Sequence, residues 1–144
     1  MNLPILPDTW LLSRYNAGYT VPITNQTGTS GYITSPNYPN NSKSLDLSDY
    51  YITAPSTYNT ILLTMNHFKL DFIGDFVFVY KGSTMNDDDY LYTWVGNMTG
   101  KNFTIPSNAV TLRFYTNFGD IPGFNISWTA IPNPPEEKSD NFIG

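Results

Sequence analysis

The sequence predicts an all-β chain, built as a sandwich or a barrel, and three observations lead there. Ile61, Leu63 and Met65 alternate with Leu62, Thr64 and Asn66, and Val110, Leu112 and Phe114 alternate in the same way farther on. A period of two places each set on one face of a strand. Residues 76–80, Phe-Val-Phe-Val-Tyr, are aromatic and β-branched throughout, which suits a pleated surface. Turn chemistry rich in Pro, Asn, Asp and Gly separates such stretches at short intervals, and no segment carries a convincing 3.6-residue period.

In chain order, residues 1–20 are irregular and punctuated by proline, with Trp10, Leu11 and Leu12 as candidates to pack on a body. Gly31, Tyr32 and Ile33 read as a strand, followed by a turn-rich loop at 35–41. Residues 48–54 read as a strand ended by Pro55. Residues 60–82 are the centre of the chain: two long strands joined at a tight acidic corner, where Asp71 and Asp75 flank Gly74. Asp87, Asp88 and Asp89 occupy an exposed loop; adjacent carboxylates point different ways there, so a solvated loop fits them better than a cation site. Strands follow at 90–95, 109–115 and 124–129, and the tail from Pro132 has linker composition. The expected boundaries are an extension at 1–21, one domain at 22–131 and a tail at 132–144. The expected core is Ile33, Ile52, Ile61, Leu63, Phe68, Leu70, Val77, Val79, Val110, Leu112, Phe114, Phe124 and Ile126.

The 144 residues suffice for one domain with a real core. Aromatic content is high at 16%, charged content is only 13%, and the net charge is −5. That balance argues against nucleic acid, which needs a basic face, and against an anionic membrane surface. The chain has no cysteine, which excludes disulfides, thiol catalysis and cysteine-type zinc sites. Its opening does not read as a secretion signal, because it lacks a basic n-region and Pro4, Pro7 and Asp8 break the apolar run. No stretch approaches the roughly 18 apolar residues of a membrane span.

Gly31-Tyr32-Ile33-Thr34-Ser35-Pro36-Asn37-Tyr38-Pro39 resembles the opening signature of CUB domains, and Ile52-Thr53-Ala54-Pro55 resembles their next strand end. Ile61, Leu63, Met65, Phe68, Leu70 and Asp71, then residues 75–82, follow the spacing of that family. Val110-Thr111-Leu112-Arg113-Phe114 and Gly123-Phe124 close the pattern, which covers about 22–131. The chain departs from it in lacking cysteine: Ser48 stands where the family usually has one, and Tyr50 replaces a usual Trp. The corner before Asp75 is shortened and has also lost its cysteine. The resemblance implies an antiparallel two-sheet, jelly-roll-like sandwich. It also implies an extracellular or secreted, non-catalytic protein-interaction module, in which an aromatic core must substitute for disulfides worth ~2–4 kcal/mol each.

The resemblance further implies a calcium site. Asp71 stands where many CUB domains have a ligating Glu, and Asp75 matches their second acidic ligand. Asn117 takes the position of the third, an Asp in the family, and Asp120 takes that of an Asn; Ser42 stands where a supporting Tyr is common. Calcium accepts such oxygen donors, about 6–8 in all. Asp, Asn and Gly are also ordinary turn residues, so a plain turn is the competing account. If the site forms, a partner's Lys binds its acidic rim.

Elsewhere the chemistry is sparse. His67 is the sole histidine and is expected at a strand-end turn, with no Gly-x-Ser-x-Gly elbow to serve it. Glycosylation triplets begin at Asn25, Asn40, Asn97, Asn102 and Asn125; all but Asn125 are expected in loops, and a chain this rich in Asn, Ser and Thr generates several by chance. With Val77 and Val79 inward, Phe76, Phe78 and Tyr80 line an outer face, covered by the N-terminal extension or open to a partner. The alternative function is therefore a self-assembling, coat-type structural subunit that uses this aromatic strand and the N-terminal arm. Glycan binding is conceivable through surface aromatics, but no spacing specifies it.

Overall fold

Alternating apolar positions fold into strands wherever a second layer is available to bury them, and here two layers bury each other. A computed structural model describes residues 20–117 and 120–134. The extension with Trp10, Leu11 and Leu12, residues 118–119 and the tail from 135 lie outside the described residues. The strands are β1 (Ile23–Thr27), β2 (Ser30–Thr34), β3 (Leu47–Thr53), β4 (Thr60–Lys69), β5 (Phe76–Lys81), β6 (Tyr90–Trp94), β7 (Asn102–Ile105), β8 (Ala109–Tyr115) and β9 (Gly123–Ile131). They form a five-stranded sheet, β1-β3-β8-β5-β6, and a four-stranded sheet, β2-β9-β4-β7. The fold is thus an antiparallel-rich sandwich rather than a closed barrel. One pairing departs from the antiparallel expectation: β1 runs parallel to β3.

The two long central strands do not pair with each other. β4 lies between β9 and β7, whereas β5 lies between β8 and β6. The acidic corner therefore carries the chain from one sheet to the other. Every expected core position is buried, with Ile61, Leu63, Phe68, Val77, Val79, Leu112, Phe114, Phe124 and Ile126 at 0% exposure. The same core also takes in Met65, Trp94, Ile105 and Trp128. Aromatic rings meet between the sheets: Phe124 is 5.1 Å from Phe114 and 5.6 Å from Tyr50, Phe68 is 6.0 Å from Trp94, and Trp94 is 4.8 Å from Phe103. Such edge and tilted arrangements suit the ring quadrupole.

β1 and β7, sequences ITNQT and NFTI, were not expected as strands. Both are edge strands with mostly exposed side chains, so their burial signal in the sequence is weak. Gln26 of β1 fastens the open side of the sandwich. Its Oε1 accepts from Trp128 Nε1 at 2.6 Å, and its Nε2 donates to the Tyr32 carbonyl at 2.7 Å. Tyr50 donates its hydroxyl to the Thr34 carbonyl at 2.8 Å. Side chains thus fill two acceptors of edge strand β2, which blunts it against other chains. Gly31 is required there, because a Cβ would press on Gln26 Oε1 and Trp128 Nε1, both at 2.8 Å.

His67 corrects the expectation of a strand-end turn. It lies within β4, half-buried beside a bulge in the β4–β9 register, with its ring 5.9 Å from that of Tyr38. Asp87–Asp89 form one 3-10 turn with Asp87 and Asp88 exposed and Asp89 half-exposed, consistent with a solvated loop. Leu112→Ala, at a fully buried position facing the second sheet, is expected to cost about 2–5 kcal/mol in urea unfolding. A cost below about half a kcal/mol, the range of ordinary surface substitutions, would contradict the assigned face.

Candidate functional site

The inter-sheet corner is built from the end of β4, the start of β5 and the residues after β8. Leu70 remains buried and its amide donates to the Gly96 carbonyl at 2.9 Å, which anchors the corner's first residue. The chain then leaves the core: Asp71 is exposed, and Phe72 and Ile73 are 75% and 77% exposed. Gly74 reverses the direction at φ +87°, and a Cβ at that position would meet Asn117 Cβ at 2.8 Å. Only glycine satisfies both the backbone angle and the close approach.

Asp75 then returns fully buried and ties the corner together. Its Oδ2 accepts from the Asp71 amide at 3.2 Å, and its Oδ1 accepts from the Asn117 amide at 3.0 Å. One carboxylate thus joins the β4–β5 corner to the exit of β8. Loss of hydration pushes the Asp75 carboxyl above the usual range, the two amide hydrogen bonds oppose this, and the charge of Asp71 adds to the rise.

Of the four expected metal-ligating residues, Asp71, Asp75 and Asn117 meet at this corner. Asp120 is engaged elsewhere. It is exposed, adopts φ +56°, accepts from Asn41 Nδ2 at 2.9 Å and donates its amide to the Ser42 carbonyl at 2.6 Å. Among the described residues no group of three or more Asp, Glu or His side chains is placed to hold a metal ion. The corner nevertheless offers donors of the right kind for a hard cation: an exposed carboxylate, a buried carboxylate with spare lone pairs, and the Asn117 amide oxygen.

The other expected residues fall as follows. Val77 and Val79 face the second sheet with 0% exposure, so Phe76, Phe78 and Tyr80 take the outer face; there Phe78 is only 6% exposed and the other two are half-buried. Asn25, Asn40, Asn97 and Asn102 are exposed, while Asn125 is half-buried and accepts from Asn66 Nδ2 at 3.1 Å. Asn25 and Asn102 correct the expectation of loops, since both lie in edge strands. Sequence reasoning assigned no role to Phe72 and Ile73. The available signal was two bulky apolar residues placed between the corner's two acids, outside the alternating pattern of the strands.

The raised Asp75 carboxyl sets the direction of a pH effect in metal-free protein. As pH rises through the ordinary Asp range, the unfolded chain gives up this proton before the folded chain does. Ionisation at this position therefore erodes stability from the ordinary Asp pKa upward through the raised one. Asp75→Asn is expected to remove this component while losing one of the two amide hydrogen bonds, a cost of about 1–3 kcal/mol. Urea midpoints across that pH window should show the gap between wild type and variant narrowing as pH rises; a widening gap would contradict the assignment.

Comparison with known proteins adds the family. The family model described as CUB domain matches residues 23–128. No curated protein sequence matches the chain. The full extracellular region of zebrafish Gpr126/Adgrg6 superposes with a TM-score of 0.66 at 24% identity, covering 79% of this chain and 15% of that one. The CUB1-EGF-CUB2 domains of rat MASP-1 give 0.66 at 22% identity, covering 78% and 44%. The MASP-1 CUB2 domain bound to Ca2+ gives 0.61 at 20% identity, covering 74% and 97%. The chain thus spans less than half the length of the first two of these proteins. CUB domains are extracellular protein-interaction modules, and this chain belongs to the CUB domain family.

Proposed function

We propose that this domain is a non-catalytic extracellular module that binds calcium at the β4–β5 corner and engages a basic partner residue there. The observation that carries the reading is the Asp75 tie, which holds a buried carboxylate next to the exposed Asp71 and close to Asn117. Two neighbouring carboxylates repel, and the fold already keeps one of them poorly hydrated; a divalent cation offsets both costs. The related MASP-1 CUB2 domain was solved bound to Ca2+, which supports the same chemistry here. Asp71, Asp75 and Asn117 would supply side-chain oxygens, with carbonyls and water completing the shell. Asp120 joins only if its hydrogen bond to Asn41 is given up.

The bound ion would fix the corner and leave an acidic rim for a Lys or Arg of a protein partner, with Phe72 and Ile73 supplying apolar contact beside it. The exposed triplets at Asn25, Asn40, Asn97 and Asn102 are compatible with glycosylation on a secretion route. Asp49 and Arg113 form a structural ion pair, and among the described residues no hydrogen-bond partner meets His67 Nδ1, so the reading assigns no catalytic group. The coat-subunit alternative loses ground because Phe78, the centre of its aromatic strand, is already covered.

Calcium at about one hundred times its dissociation constant should add about 2.7 kcal/mol to stability. Asp71→Ala removes an exposed side chain and relieves its repulsion of Asp75, so it should leave the metal-free protein no less stable, yet abolish the calcium-dependent rise. Thermal unfolding in calcium and in chelator measures both. An unaltered melting temperature at millimolar calcium in the wild type would contradict the site.

A further inference from the structure

The middle of the outer face of the five-stranded sheet, on β3, β8 and β5, is largely closed to solvent, although the second sheet covers only the opposite face. Register aligns three rows there: Leu47, Tyr115 and Phe76; Asp49, Arg113 and Phe78; Tyr51, Thr111 and Tyr80. Leu47 is 1% exposed, Asp49 3%, Phe78 6%, Tyr115 7% and Thr111 0%. Asp49 and Arg113 form a bidentate pair at 2.7 and 2.8 Å within this face. A sheet face open to water would leave its aromatic edges and its ion pair wet. Among the described residues every strand belongs to one of the two sheets, and none lies across this face.

We propose that the occupant of this face is the chain's own N-terminal segment, residues 1–19, docked as an intramolecular strap. Three observations select it. Val21, where the described chain begins its approach to β1, already packs with Leu47, Phe78 and Tyr115, so the segment enters from the face itself. Crossing from β1 to β6 spans four strand spacings, roughly 19 Å, and about six extended residues cover that distance; nineteen precede Thr20. The segment also carries the required chemistry, in Leu3, Ile5, Leu6, Trp10, Leu11 and Leu12. Its prolines, Pro4 and Pro7, lack the N–H that strand addition needs, which favours packing on a face over extending an edge. The opposite terminus is the poorer candidate: it leaves from β9 in the other sheet and carries Glu136, Glu137 and Asp140. With the strap in place, Phe76, Phe78 and Tyr80 are interior residues rather than a partner surface.

The cysteine-free sequence makes the test direct. Full-length Asn2→Cys and Ser13→Cys variants, each carrying a nitroxide label, are prepared with nitrogen-15, and amide signals are compared before and after reduction of the label. The strap predicts signal loss strongest at Asp49, Phe78 and Arg113 and weaker at Leu62 and Thr129, which pair with each other on the outer face of the other sheet. The reduced sample reports directly that each variant is folded. Loss centred on the other sheet, or no loss at either label position, overturns the proposal. A second sample mixes labelled chain lacking nitrogen-15 with unlabelled nitrogen-15 chain. Signal loss in that mixture means that a second copy supplies the segment, and overturns the intramolecular assignment; no loss there supports it.

Discussion

Ring contacts that cross between the two sheets are what the rest of the structure depends on. Phe124 of the four-stranded sheet meets Phe114 and Tyr50 of the five-stranded sheet; Phe68 meets Trp94; and Phe103 meets both Trp94 and Tyr92. Each such pair contributes about 0.5–1.5 kcal/mol beyond the apolar area it buries. Two or three therefore offset the ~2–4 kcal/mol of one missing disulfide. Ser48 and Tyr50 illustrate the exchange. The position that resembles a cysteine site is a buried serine, while two residues on Tyr50 reaches Phe124 with its ring and the Thr34 carbonyl with its hydroxyl.

The acidic corner inherits its geometry from this packing. Phe68 and Leu70 are held in the core immediately before the chain turns out, and Val77 and Val79 are held in it immediately after. Between these anchors the chain must pass from one sheet to the other in a few residues. Gly74 allows the reversal, and the buried Asp75 satisfies the amides of Asp71 and Asn117 that the crossing would otherwise strand. The same carboxylate that ties the corner is thereby held beside a second acid in a poorly hydrated place. The structural role of Asp75 and its proposed calcium role are two consequences of one placement.

The fold was legible because the core strands obey a period of two with large apolar residues on the inner face, as in β4, β5 and β8. What stayed hidden were features set by long-range pairing. β1 and β7 are short, largely exposed edge strands whose formation depends on partners far along the chain, and the parallel β1–β3 register has no local signature. His67 lies inside β4, where a bulge after Met65 takes up one residue, which no simple alternation reveals. At the corner, Asp71 and Asp75 could be read from their spacing around Gly74. The engagement of Asp120 with Asn41 could not, since it joins loops 79 positions apart. The inward valines of β5 correctly placed Phe76, Phe78 and Tyr80 on the outer face, but residue pattern alone does not say whether an outward aromatic is wet or covered.

The central claim is that aromatic contacts between the sheets do the joining that cysteine is absent to do. A double-mutant cycle at Phe114 and Phe124, each replaced by Leu, tests it most directly, because the two rings stand 5.1 Å apart at 89° on opposite sheets. Urea unfolding of the four proteins should yield a coupling energy of about 0.5–1.5 kcal/mol favouring the paired rings. Effects that add within about 0.3 kcal/mol, as independent sites do, would show that the rings merely fill volume and would contradict the account.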